Sequence, residues 1–236
     1  MGVAGHLRIS LDEYDEQIRV FVPYYDQLVL GAAAPLQWVE ASAPTIVDLG
    51  IGTGALAAAC LAVRPDAHLI GVDSDPAMLE AARSRLRDAP HVQLIRANFL
   101  EYELPPCDAV VACIALHHVA TPHAKRSLYL RCANALNAGG CLISADCFPA
   151  RHGAIAARHR EAWLGHLQKT CSREEAEGHL AAWAGEDVYF PLADELAWMS
   201  EAGLRPEVLW RHDGFGIIAA YPAGEGVSVG ERQRVG

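Results

Sequence analysis

Between residues 45 and 147 the chain alternates short apolar runs with helix-length segments, and that alternation limits the fold more than any other feature. The runs "TIVDLG" (45–50), "HLIGVD" (68–73), "VQLIRA" (92–97), "CDAVVACI" (107–114) and "GGCLISADC" (139–147) are rich in β-branched residues and read as strands. The segments 54–64, 76–88 and 122–137 between them read as helices. Strand–helix–strand repetition requires crossover connections, which lay the strands parallel in one sheet with helices packed on it. Near the C-terminus, "RPEVLWRHDGFGIIAAY" supplies two further runs, 204–211 and 214–221, meeting at Asp213-Gly214. That dipeptide accepts positive φ and so makes a tight hairpin, ending the sheet on an antiparallel strand.

The flanking segments are helical. Residues 11–40 place Leu11, Tyr14 and Ile18 at helical spacing, and a second helix follows Pro23. Residues 149–200 interrupt the alternation as a helical insertion, with "SREE" (172–175) as a capping box and Gly203 closing the helix "LADELAWMSEAG". One domain is expected over 1–222, with 223–236 as a flexible polar tail. At 52% hydrophobic and 20% charged, 236 residues can bury a sizeable core. A net charge of −10 argues against a nucleic-acid partner, which needs a basic face. "AVVACIAL" is far too short to span a bilayer, and "MGVAGHLRIS" has no apolar leader core, so a cytoplasmic protein without membrane attachment is expected. Seven cysteines, an odd number without a C-x-x-C pair, read as reduced thiols.

The turn "DLGIGTG" after the first strand marks a nucleotide site. Gly50-x-Gly52-x-x-Ala55, with Asp73 ending the next strand, satisfies the dinucleotide fingerprint, in which an acid holds a ribose diol. Three features favour another nucleotide. Asp48 would repel a pyrophosphate but suits an ammonium. "GVDSDPAMLEAAR" puts Met78 one turn into a helix, where a thioether packs on a flat base. Asn98 and Phe99 follow the third strand as a polar and an aromatic neighbour for adenine.

On these residues the chain resembles the class I S-adenosylmethionine-dependent methyltransferases over about residues 40–147, and more loosely over 204–221. The resemblance implies a Rossmann-like α/β fold: a seven-stranded, mostly parallel sheet with an antiparallel last strand and helices on both faces. It implies S-adenosylmethionine as cofactor and methyl transfer to a small-molecule acceptor. Asp48, Gly50, Gly52 and Gly54 would cradle the methionine part, Asp73 and Ser74 the ribose, and Met78, Asn98 and Phe99 the adenine. Cys113 lies in "ACIALHHV", which passes beside the sulfonium in that family, and Tyr25 lies in a segment that closes over the cofactor in some members. Many members carry Asp where this chain has Asn98, whose amide oxygen still accepts a hydrogen bond. The segment "YDEQIRVFVPYYDQL" is also similar to one in carboxy-S-adenosylmethionine synthases, which leaves open a converter or sensor of the cofactor without ordinary methyl transfer. A homodimer is compatible with all of these.

A proton-bearing nucleophile needs a base, and His117 is the expected one, placed just after an apolar strand at the carboxyl edge of a parallel sheet. His118 is expected to act through stability. His152, His159 and His166 recur every seven residues, with His179 further on. Seven residues of helix rise about 10 Å, too far to share one ion, so no metal site is expected. The segment 149–200 is expected to form a lid in which Trp163, Trp183, Glu186, Asp187, Tyr189 and Phe190 approach the acceptor.

Overall fold

The computed structural model describes residues 14–223. Helices α1 (Tyr14–Phe21) and α2 (Tyr25–Ala33) lead through a 3-10 turn (Ala34–Trp38) into β1 (Thr45–Leu49). Then come α3 (Ala55–Val63), β2 (His68–Asp73), α4 (Pro76–Arg85), β3 (Val92–Arg96) and β4 (Cys107–Cys113). A 3-10 turn (Leu116–His118) precedes α5 (Pro122–Ala135) and β5 (Leu136–Cys147). The insertion is α6 (Gly153–Leu167) and α7 (Arg173–Trp183), and α8 (Leu192–Glu201), β6 (Leu204–His212) and β7 (Phe215–Pro222) complete the chain.

The strands form one seven-stranded sheet in the order β3-β2-β1-β4-β5-β7-β6, with β7 antiparallel to both neighbours. The expected α/β architecture is therefore the observed one. Asp213, at φ 48, makes the β6–β7 turn. Local chemistry sets the helix starts. Asp75 and Thr121 accept from backbone N–H groups at the heads of α4 and α5, and each is followed by Pro at the first helical position. Ser172 and Glu175 form the expected capping box on α7.

Alternation along each strand divides the core into two layers. Ile46, Ile143 and Ile217 face α1 to α4, whereas Val47, Leu142 and Ile218 face α5 and α8. These residues are fully buried or nearly so, and truncating one to Ala costs roughly 2–5 kcal/mol. A smaller cluster of Leu164, Leu167, Ala176 and Trp183 holds α6 against α7. The order of strand addition reverses between β1 and β4, which are parallel. The loops after these strands diverge there and leave a crevice at the carboxyl edge of the sheet.

Candidate functional site

The crevice is a cavity of about 370 Å³ walled by the loops after β1, β2, β3 and β4 and capped by α1. Gly50, Gly52 and Gly54 all have positive φ, so the turn folds back under the start of α3. A Cβ on Gly50 would lie 2.7 Å from that of Ala115, so no larger residue fits there. Asp73 ties the loop down: its Oδ2 accepts from the Gly52 N–H at 2.9 Å and its Oδ1 from the Asp75 N–H at 2.9 Å. Helix α1 is latched over the same loop. Thr53 donates to Asp15 at 2.8 Å, and Arg85 bonds Thr53 at 2.8 and 2.9 Å while pairing with Asp15.

Asp48, Gly50, Gly52, Asp73, Ser74, Asn98, Phe99, Cys113 and Tyr25 line this cavity. Gly54 and Met78 do not stand on its wall. Gly54 packs against Ala82 at the head of α3, and Met78 points into the core, fully buried. Glu186, from the loop after α7, also reaches the cavity. Asp48 is buried, its Oδ2 has no hydrogen-bond partner among the described residues, and burial with the nearby Asp73 charge pushes its carboxyl up to about 8. Three carboxylates and no Lys or Arg line the cleft, which suits a cationic ligand and disfavours a pyrophosphate.

A second cavity, about 40 Å³, adjoins the first between α1, α6, α7 and the loops after β4 and β5. Tyr14, Ile18, Ile114 and His118 line both. Ile114 holds φ 49, unusual for a β-branched residue, and is fixed by its N–H to the Ala145 carbonyl at 2.8 Å. Phe21, Trp163, Trp183, Tyr189 and Phe215 supply aromatic walls. Of the aromatic and acidic residues expected from the insertion, Trp163, Trp183, Asp187 and Tyr189 line this cavity, whereas Phe190 packs on Trp198.

His117, His118, Asp146, Asp187 and Tyr189 meet in this second cavity. Asp146 Oδ1 takes His117 Nδ1 at 2.7 Å and the Cys147 N–H at 2.8 Å; its Oδ2 takes the N–H groups of Leu116 and His117 at 3.1 and 3.2 Å. That contact fixes the tautomer of His117, with Nδ1 as donor and Nε2 turned inward. His117 Nε2 lies 3.9 Å from Asp187 Oδ1, and His118 Nδ1 lies 3.1 Å from the same oxygen. Tyr189 donates to Asp187 Oδ2 at 2.7 Å. Burial pulls the His117 pKa down, but the charges of Asp146 and Asp187 outweigh it and leave it above the ordinary value. Burial opposes ionisation of Asp146 and Asp187 too, yet hydrogen bonds and the histidines hold both below the usual carboxylate range. Among the described residues, His117, His118 and Asp187 are the one trio of metal-type ligand atoms within 4.8 Å of one another. Of the histidines on the inserted helices, His166 meets the Arg19 carbonyl at 3.2 Å and His179 stacks on Trp183.

Asp146 is the site residue that sequence reasoning missed. Its signal was an acid closing an otherwise apolar parallel strand, as Asp73 closes β2. Behind it, the buried Lys125 is held by Glu195 at 2.7 Å, and Tyr129 donates to the same carboxylate.

The fold and this cleft define a class. Residues 46–140 match the family model described as a methyltransferase domain, which together with the fold supports a class I S-adenosylmethionine-dependent methyltransferase. It is 36% identical over 124 residues to trans-aconitate 2-methyltransferase of Methylobacterium nodulans, a match covering 52% of this chain and 46% of that relative. It is 25% identical to carboxy-S-adenosyl-L-methionine synthase of Helicobacter pylori over 214 residues, 88% of this chain and 89% of the relative. An O-methyltransferase family protein from Burkholderia thailandensis shares the fold at TM-score 0.68 and 18% identity, over 91% of this chain and 60% of the other. The cofactor of the family is S-adenosylmethionine. No helix among the described residues is long and apolar enough to cross a membrane.

Proposed function

We propose that the chain transfers the methyl group of S-adenosylmethionine to a small-molecule acceptor held in the aromatic cavity. The observation that carries this reading is the junction of the two cavities at Tyr14, Ile18, Ile114 and His118, with the His117–Asp146 pair beside it. When bound, the cofactor supplies an electrophilic methyl on a sulfonium with a neutral thioether as leaving group. Asp48 would meet its ammonium, Asp73 with Ser74 its ribose, and Asn98 with Phe99 its adenine, with Gly50, Gly52, Cys113 and Tyr25 completing the wall. The unmatched Asp48 oxygen fits that role, because an ammonium supplies the donor it lacks.

The chain's own work is alignment in a dry pocket, worth up to roughly 7–11 kcal/mol in favourable cases. His117 accepts the acceptor's proton at Nε2, adding roughly 10²–10⁴-fold, and Asp146 steadies the imidazolium through Nδ1. Ile114 and the aromatic side chains exclude water.

A second reading follows from the carboxy-S-adenosyl-L-methionine synthase relatives, which align over most of both chains. The electrostatics disfavour it. The acceptor cavity holds two carboxylates and, among the described residues, no Lys or Arg to receive an acidic group. The same argument disfavours the acidic acceptor in the name of the trans-aconitate relative. Incubation with methyl-labelled S-adenosylmethionine and a metabolite panel tests the reading. Labelled product is the expected result; cofactor that binds but never loses its methyl would overturn it.

A further inference from the structure

We propose that the acceptor is an amine, a small primary or secondary amine on an aromatic or apolar body, which enters as its ammonium form. This deepens the methyl-transfer reading and rests on it.

Charge carries the argument first. Asp146 and Asp187, 2% and 7% exposed, both favour the ionised form. With His117 neutral, the shell carries the two negative charges of Asp146 and Asp187. The nearest buried cation, Lys125, is matched by Glu195, and Arg160 lines the neighbouring cavity rather than this one. A cation on the ligand offsets one of the two negative charges. A hydroxyl offsets neither, and a carboxylate adds a third.

Shape points the same way. Phe21, Trp163, Trp183, Tyr189 and Phe215 turn aromatic rings around the cavity, and aromatic faces attract a cation electrostatically where water is excluded. The cavity of about 40 Å³ admits a head group, not a whole metabolite. A neighbouring cavity of about 180 Å³ shares Trp163, Trp183, Tyr189 and Phe215 with it, and its mostly apolar wall suits the amine's body. The nitrogen is thereby placed at Asp187 and His118, next to Nε2 of His117.

The proton count closes. The ammonium gives one proton to neutral His117, which frees the nitrogen lone pair. That pair forms the N–C bond while the electrons of the C–S bond go to sulfur, and the methylated product carries the positive charge the sulfonium loses.

Trp163 and Trp183 report on the cavity directly, so binding can be read without turnover. The full chain is titrated with 2-phenylethylamine, 2-phenylethanol and phenylacetate while tryptophan fluorescence is followed. The amine should bind about tenfold or more tighter than the alcohol, with the carboxylate weakest. In Asp187→Asn, checked for native circular dichroism, that preference should collapse to within about twofold. No saturable response to the amine, or an alcohol or carboxylate that binds as tightly in the unaltered chain, overturns the proposal whether or not the variant folds. Calorimetry with S-adenosylmethionine runs alongside. Cofactor binding without amine preference sinks only the amine proposal. Amine preference without cofactor binding removes the methyl-transfer reading and with it the amine's role as acceptor.

Discussion

If Asp48 meets the ammonium of the cofactor as proposed, cofactor binding releases a proton. The Asp48 carboxyl is pushed up to about 8, by burial first and the Asp73 charge second. Only about 1% is therefore ionised at pH 6 and about half at pH 8. If the ammonium of S-adenosylmethionine binds only the carboxylate, the apparent Kd is the intrinsic Kd divided by that fraction, so affinity rises about fifty-fold between these pH values. An amino-acid ammonium has a pKa near 8 and is itself half lost at pH 8, which trims the net rise to about twenty-five-fold; below pH 7 the slope belongs to the protein. Titration calorimetry in buffers of different ionisation enthalpy should count about 0.8 proton released per cofactor at pH 7. The same group sets a stability trend of definite sign. A carboxyl raised in the folded state holds its proton where the unfolded chain has lost it, so the ligand-free protein should lose stability as pH rises from about 4 to 8. Asp48→Asn should flatten both profiles. Affinity independent of pH between 6 and 7.5, with a buffer-independent enthalpy, would refute the assignment of Asp48 to the ammonium.

Three further outcomes follow from the same geometry. The His117 pKa, read by NMR of the imidazole, should lie above 6.5 and fall in Asp146→Asn, moving the acid limb of kcat to lower pH. His117→Ala should lower kcat by roughly 10²-fold or more while leaving S-adenosylmethionine affinity within about twofold, because glycine loop and Asp73 are untouched. Glu195→Ala, by stranding the buried Lys125 and Tyr129, should cost roughly 3–5 kcal/mol in denaturant unfolding, whereas Ser172→Ala at the exposed cap of α7 should cost about 1 kcal/mol.

The sheet was legible because each strand is a short apolar run between helices, and burial on both faces leaves few other residue types. Strand ends moved by only a few residues: β5 begins at Leu136 rather than 139, where "NAGG" carries no β-branched residue to announce it. The cofactor cleft was legible from "DLGIGTG" and Asp73, since positive φ and a strand-end acid are local properties. What lay beyond reach was direction around a helix and contact across the sheet. Met78 reads as a base-stacking thioether, yet its turn of α4 points it at the core. Asp146 is 29 residues from His117, and only the parallel pairing of β4 with β5 brings them together. Asp187 joins them through a loop whose path depends on how α6 and α7 pack.

The latch of Asp15 on Thr53 and Arg85 has a kinetic consequence. Helix α1 closes the cofactor cleft with one face, while Tyr14 and Ile18 on the same helix wall the acceptor cavity. Lifting α1 to release spent cofactor also dismantles the acceptor's binding surface. Under the proposed methyl transfer, turnover would then be ordered, cofactor first on and last off, and steady-state inhibition by the demethylated cofactor should be competitive against S-adenosylmethionine and noncompetitive against the acceptor. Because the Asp15–Arg85 pair is about one-third exposed (28% and 32%), added salt weakens the latch. Where product release limits the cycle, ionic strength then becomes a control on residence time.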